Sequence, residues 1–343
     1  MHRLQATIGA SQRLLVNPSE PKNHSVGAQL MAMPAKPFII GVDVAKVELV
    51  SYCEQTGQHQ SFRNTQPEIR KWLALQPANT AICVEATNIY HLDLVEMAYE
   101  KGFAVYVVDG YQLSNYRKGI GGRVKTDASD ACLLARFLDR EGSALRPWVP
   151  PPPVYRKLQS LLRRRAALVS ARTSLVQSWS NEVFLKEAFN SFIKHFESLD
   201  LLIQKQLKTV VREAGLREQV VRCQKVEGIG FLTAVALVTA FIRGEFRSSD
   251  AYIAFLGMDL KVADSGQKSG RRRLTKRGCS EVRRLLHNAA MAASKSAAWK
   301  ELYEYYRSKG KAATQVLVIL ARKLARVAFA LMKTQGEYVS RRA

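Results

Sequence analysis

The chain has 343 residues, 47% of them hydrophobic, which is enough for two or three domains with buried cores. Its formal charge of +23 is uneven: residues 1–150 carry 16 Lys and Arg against 14 Asp and Glu, whereas residues 151–343 carry 36 against 15. An excess confined to one part argues against a neutral, merely soluble surface and for a polyanionic partner, because Lys and Arg that neutralise phosphates release condensed counterions.

Five cysteines, Cys53, Cys83, Cys132, Cys223 and Cys279, are widely spaced and form no Cys-x-x-Cys pair. Neither a disulfide framework nor a zinc site is indicated, and a reducing cytoplasm fits. The longest apolar stretch, Ile229 to Ile242, falls short of the roughly 20 residues needed to span a bilayer, and no secretory leader is visible. A soluble intracellular protein with no membrane partner is expected.

Residues 1–36 lack sustained periodicity and hold Pro18, Pro21 and Pro34 among Asn, Ser and Gln, the composition of a disordered tail, with Met31 and Met33 as alternative starts. From Phe38 an apolar run is interrupted at Asp43; Val47 to Tyr52 and a turn at Glu54–Gly57 predict a strand and a hairpin. Pro67 opens a helix with Ile69, Trp72 and Leu73 on one face, and Thr80–Glu85 reads as a short buried strand. A helix is predicted from about Ile89 to Lys101, stopped by Gly102, and then a strand from Phe103 to Val108. The order βββ–α–β–α–β–α describes a mixed sheet flanked by helices. With acidic groups at strand ends, it points to a ribonuclease-H-like α/β fold for residues 37–148.

The stiff segment Pro147-Trp-Val-Pro150-Pro-Pro-Pro153 falls where the charge balance changes and marks a domain boundary. Beyond it, Tyr155 to about Glu213 has no Gly and no Pro. Leu161, Leu168 and Leu175 stand at heptad spacing, and Phe192, Ile193, Phe196, Leu199, Leu202 and Ile203 form a second apolar set. Two long helices are expected over 154–216, either an antiparallel pair or a coiled-coil arm that joins subunits.

Four acids stand out. Asp43 breaks the apolar rhythm of its strand, and a carboxylate there is costly unless paired or bound to a cation. Glu85 ends its strand in the same way. Asp127 and Asp130 head an amphipathic helix carrying Leu133, Leu134, Phe137 and Leu138, and three residues apart on a helix they project to one side. Magnesium takes oxygen ligands and is commonly held by few carboxylates plus water and substrate phosphate; two such ions can stabilise both the entering and the departing oxygen of phosphoryl transfer. Taken alone, Asp127 reads as a helix N-cap; taken together, the four read as a metal site. His91 and His195 are isolated and read as packing or surface groups.

In the basic part, Val226-Glu-Gly228-Ile-Gly230 runs straight into an apolar helix, so that helix N–H groups could approach a phosphate as in a helix-hairpin-helix element, although a tight turn explains the glycines equally well. Further on, Asp264-Ser265-Gly266-Gln-Lys268-Ser269-Gly270-Arg271-Arg272-Arg273-Leu-Thr-Lys276-Arg277-Gly278 is a loop of small residues, hydroxyls and cations suited to a phosphate backbone. No nearby histidine activates Ser265, so local sequence alone favours a solvated loop serine over a nucleophile.

At these residues the chain resembles the DEDD transposases of bacterial insertion sequence family one-hundred-ten, which includes the pilin-gene inverting recombinases. The resemblance covers roughly Phe38 to Met332 and rests on Gly-Val-Asp43-Val-Ala-Lys, Val-Glu85-Ala-Thr-Asn-Ile-Tyr90, Lys125-Thr-Asp127-Ala-Ser-Asp130-Ala, Val-Glu-Gly-Ile-Gly230, Asp-Ser265-Gly and Lys276-Arg-Gly. It implies a Holliday-junction-resolvase-like domain whose magnesium-binding tetrad is Asp43, Glu85, Asp127 and Asp130. It also implies a mostly helical C-terminal transposase domain, at 220–336, whose Ser265, or else Ser269, forms a covalent phosphoserine with DNA. The partners it implies are double-stranded DNA at the element ends and target, a structured bridge RNA that pairs with both, and further copies of the chain in a dimer or tetramer. It places the protein in the cytoplasm on the nucleoid. Asn88, Asp109-Gly110 and Cys279 depart from the usual family residues. Two other readings stay open: a resolvase-like nuclease that uses metal-activated water, and a nucleic-acid-binding protein without catalysis.

Overall fold

A computed structural model describes residues 37–122, 126–179, 182–262, 264–265, 270 and 272–340. They divide into two compact units, one ending at Trp148 and the other beginning at Val149.

The first unit is built on a five-stranded sheet. Its strands are β1 (Phe38–Val44), β2 (Glu48–Cys53), β3 (His59–Arg63), β4 (Thr80–Glu85) and β5 (Ala104–Val108), in the spatial order β3-β2-β1-β4-β5. β1, β2 and β3 pair antiparallel; β4 and β5 add parallel to β1. Parallel strands need crossovers, supplied by α1 (Gln66–Ala74) and α2 (Leu92–Glu100). Alternation along each strand gives the sheet two apolar faces. Ile40, Val42, Val44, Ile82 and Val84 face α1 and α2, meeting Ile69, Trp72, Leu73, Leu94 and Val95. Ile39, Ala81 and Cys83 face the other way, toward α3 (Gly110–Gly119) and α4 (Asp127–Glu141), whose Leu113, Leu133, Leu134 and Phe137 complete that core. This is the mixed sheet flanked by helices that the sequence predicts.

Two details differ. The second helix begins at Leu92 rather than Ile89, because Asn88 adopts a left-handed φ of 46° and holds the chain in turns. Asparagine is among the few non-glycine residues enriched there. Helix α3 is additional; Asp109 caps it, accepting a hydrogen bond from the Gln112 N–H at 3.0 Å.

The second unit opens with α5 (Pro153–Trp179) and α6 (Lys186–Glu213), which run antiparallel: Arg165 meets Asp200 at 2.7 Å and Arg172 meets Glu197 at 3.3 Å. Leu158 and Leu162 of α5 and Leu207, Val210 and Val211 of α6 root the pair in the unit's core. Toward the other end Phe192, Leu199 and Leu202 remain exposed. The core continues through α7 (Arg217–Gln224), α8 (Phe231–Phe241), α9 (Ser249–Phe255), α10 (Ser280–Ala293), α11 (Ala297–Ser308) and α12 (Ala313–Thr334). A two-stranded ribbon, β6 (Leu260–Lys261) against β7 (Arg273–Leu274), is inserted between α9 and α10. Among the described residues no helix is long and apolar enough to cross a membrane.

Candidate active site

Strand parity fixes where the acids of the first unit point. Because Ile39 faces α4, so do Gly41 and Asp43 on the same strand; because Ala81 and Cys83 face that way, so does Glu85. The parallel register pairs Val42 with Val84, which puts Asp43 and Glu85 side by side one residue further on, at the C-terminal ends of neighbouring strands.

Helix α4 is brought to them by a glycine. A Cβ on Gly41 would collide with the Ala131 carbonyl and the Ala135 backbone nitrogen, so only glycine allows α4 to lie directly against β1. The start of α4 is then fixed by a reciprocal cap: Thr126 Oγ1 accepts from the Ser129 N–H at 3.2 Å, and Ser129 Oγ accepts from the Thr126 N–H at 2.9 Å. This corrects one expectation. Thr126 is the N-cap, and Asp127 is the first helical residue, exposed and with no capping role to account for it.

The electrostatics register the convergence. The Asp43 carboxyl is pushed up to about 6 from an ordinary 3.8, first by burial and then by repulsion from Asp130, Asp127 and Glu85 in turn. Asp130 is buried and takes an ion pair from Arg117 Nη2 of α3 at 2.6 Å. Glu85 sits over the start of α3, where a Cβ on Gly110 would collide with its Oε1. The departure Asp109-Gly110 thus has a physical reason: aspartate caps the helix and glycine leaves room for the carboxylate. Arg117 is the residue that sequence reasoning missed; its only signal is a cation in the last turn of a helix that was itself not foreseen.

The donor set is all carboxylate oxygen, the hard-ligand chemistry that suits magnesium rather than soft-metal sites. Among the described residues no three His, Cys, Asp or Glu side chains lie close enough to enclose an ion. The acids share one electrostatic field without forming a closed cage. Asp43, Glu85, Asp127 and Asp130 are the residues that would hold it. His91 is buried against the Thr87 carbonyl, and His195 is exposed on α6 beside the Ser191 carbonyl.

In the second unit, β6 and β7 close a loop that carries Ser265 exposed. Asp264 anchors it, accepting two hydrogen bonds from Arg272 at 2.6 and 2.8 Å and one from the Gly270 N–H at 2.9 Å. At the base Gly257 and Gly278 pack backbone to backbone, leaving no space for a Cβ on either. Arg273, Lys276 and Arg277 are exposed around this ribbon, and Lys276 holds a left-handed φ of 59°. Lys268, Ser269 and Arg271 lie outside the described residues. Gly228 is needed for packing: at φ 87° its Cβ position is filled by the Ala289 carbonyl and Ala293 of α10. Gly230 precedes α8, whose first N–H groups have no side-chain cap.

Two family models match this chain. One, described as Transposase and labelled DEDD and IS110, matches residues 40–190; the other, described as Transposase IS116/IS110/IS902 family, matches residues 222–307. The chain belongs to the IS110 family of transposases. Relatives of this transposase include the pilin gene-inverting proteins of Moraxella bovis and Moraxella lacunata, each 25% identical over 88% of this chain and 98% of the relative. Among solved structures, T. thermophilus RuvC in complex with Holliday junction substrate is 15% identical over 33% of this chain and 100% of that chain, at a TM-score of 0.23. As a transposase the chain is an enzyme of DNA recombination.

Proposed function

We propose that this transposase cuts and rejoins DNA through a covalent phosphoserine, with Asp43, Glu85, Asp127 and Asp130 holding divalent magnesium at the scissile linkage and Ser265 supplying the attacking hydroxyl. The observation that carries the reading is that Asp130, Asp127 and Glu85 all repel Asp43, whose carboxyl is pushed up to about 6, first by burial and then by these three. Such mutual repulsion is costly unless a cation relieves it. The sheet order and the acids at its strand ends support a ribonuclease-H-like reading of the first unit.

In the proposed step Ser265 Oγ attacks phosphorus, its proton passes to a base or to water, and the bond to the departing deoxyribose oxygen breaks, that oxygen leaving as a hydroxyl. One phosphodiester is exchanged for another, so the reverse attack by a DNA hydroxyl rejoins a strand with no external energy source. Bound metal would supply charge stabilisation at both oxygens. In this reading the cations Arg272, Arg273, Lys276 and Arg277 hold phosphates, together with Lys268 and Arg271 of the same sequence neighbourhood. Ser269 is the alternative nucleophile. From the resemblance we further infer a bridge RNA that chooses donor and target DNA, and active sites that combine the first unit of one subunit with the second unit of another, through arms such as α5–α6.

The test is recombination between element-end and target plasmids, with denaturing gels for protein trapped on DNA. Ser265→Ala should abolish both product and adduct. Full activity in that variant removes Ser265 from the mechanism, and cut DNA with no adduct in the unaltered protein favours a nuclease that uses water.

A further inference from the structure

The last described residues do not trail into solvent. Helix α12 ends at Thr334, the left-handed φ of 54° at Gln335 turns the chain, and the segment Gln335–Ser340 folds back across the connection between α7 and α8. Glu227 in that connection is its anchor, accepting a hydrogen bond from Tyr338 Oη at 2.6 Å and another from Ser340 Oγ. Burial alone would raise the Glu227 carboxyl, but these two hydroxyls hold it below the ordinary carboxylate value. Tyr338 also packs against the core of the unit.

Between these anchors the tail presents a carboxylate to a basic face. Glu337 Oε2 lies 3.0 Å from Lys225 Nζ, inside a surface cavity of about 580 Å³ that is also lined by Arg217, Arg222, Val221 and Glu218. Arg217, Val221 and Lys225 stand at i, i+4 and i+8 on one stripe of α7, with Arg222 beside them, so the cations extend along about 12 Å of helix. Three cations against Glu218 leave this face at +2, and Glu337 lowers it to +1. The hydrogen bond and charge of Lys225 hold the Glu337 carboxyl below its ordinary value. This face therefore already binds an anion, and an exposed ion pair of this kind is weak enough to be exchanged for another.

We propose that Arg217, Arg222 and Lys225 form a phosphodiester-binding face for the nucleic-acid backbone, and that the C-terminal segment covers it, Glu337 standing where a phosphate binds. DNA displaces the segment. The proposal rests on the nucleic-acid reading above, and it adds an electrostatic site on α7, distant in sequence from the Ser265 loop.

Binding of full-length protein to a random-sequence duplex, measured by anisotropy from about 50 to 200 mM salt, tests it. Glu337→Gln should tighten binding about 3- to 10-fold beyond Glu304→Gln, a matched loss of one exposed carboxylate that pairs with Lys300. The gain should vanish when Lys225→Ala is added, and Arg217→Ala should lower the salt slope by about 0.9, the expectation for one lost phosphate contact. Tyr338→Phe, which removes one of the two hydroxyls on Glu227 without changing charge, should shift affinity in the same direction as Glu337→Gln. Equal effects of Glu337→Gln and Glu304→Gln, or a gain that survives Lys225→Ala, would overturn the proposal while wild-type binding upheld the nucleic-acid reading. No DNA binding by any form would overturn both.

Discussion

Asp43 is where burial and like charge act most strongly on one group, and both lead to a prediction with a definite sign. Its folded pKa, about 6, lies above the ordinary 3.8, so the folded state binds that proton more tightly than the unfolded state does. Stability from this group is fully present below the unfolded value and is lost as pH rises through the folded one. Without divalent cations, thermal unfolding should therefore show stability falling between about pH 4 and pH 6, by about 1–2 kcal/mol once solvent screening of this half-buried group is allowed for. Asp43→Asn should flatten that fall and raise the melting temperature at neutral pH while abolishing recombination. A flat profile in the unaltered protein would show that neither burial nor the neighbouring carboxylates raise the Asp43 pKa. Arg117 acts on the same group through Asp130, and Arg117→Ala should steepen the fall, because it removes the cation that stands 2.6 Å from Asp130. Sequence made the four acids visible because each interrupts an apolar pattern or heads an amphipathic helix. Arg117 interrupts nothing, and only the fold brings it to Asp130.

At the level of elements, the site depends on how closely α4 can lie on β1. Gly41 is the residue that allows it, since any Cβ would strike the backbone of α4 at Ala131 and Ala135. Gly41→Ala should cost about 1–3 kcal/mol by overpacking, and it should reduce activity beyond that loss by moving Asp127 and Asp130 away from Asp43. Leu134→Ala separates the two effects. It removes a fully buried side chain of the same interface and should cost about 2–5 kcal/mol, but without forcing the helix outward. Chemical denaturation and recombination rates measured on both variants check this; equal activity at equal stability would show that spacing has no role. The strands were legible because β1, β4 and β5 are short apolar runs bounded by turns. The true helix start at Leu92 was hidden by Asn88, whose left-handed conformation has no signature in hydrophobic pattern, and α3 was hidden by weak amphipathicity and a single buried residue, Leu113. Gly41 and Gly228 read in sequence as strand and turn glycines; the helix that each accommodates is distant along the chain.

For the whole molecule, charge is concentrated in the second unit, which also carries Ser265, while the acids belong to the first. If active sites combine units from different subunits, as proposed, then Asp43→Asn and Ser265→Ala proteins, each inactive alone, should regain about a quarter to a half of wild-type recombination when mixed, because mixed assemblies contain a site with neither change. No recovery on mixing would place both residues of each site in one subunit. The exposed Phe192, Leu199 and Leu202 along α6 are the natural place to perturb assembly. The asymmetry of charge was plain from composition. What composition left unread is that a tail so near the end of the chain lies on a basic helix of the same unit, since that contact joins residues more than a hundred positions apart.

The central claim is that the four carboxylates together bind divalent cations. Manganese titration of full-length protein at neutral pH, following the free-ion electron paramagnetic resonance signal, measures this without reference to catalysis. The account predicts roughly one to two bound ions per chain, competed by magnesium and lost in Asp43→Asn. Binding that is absent from the unaltered protein, or undiminished in Asp43→Asn, would contradict it.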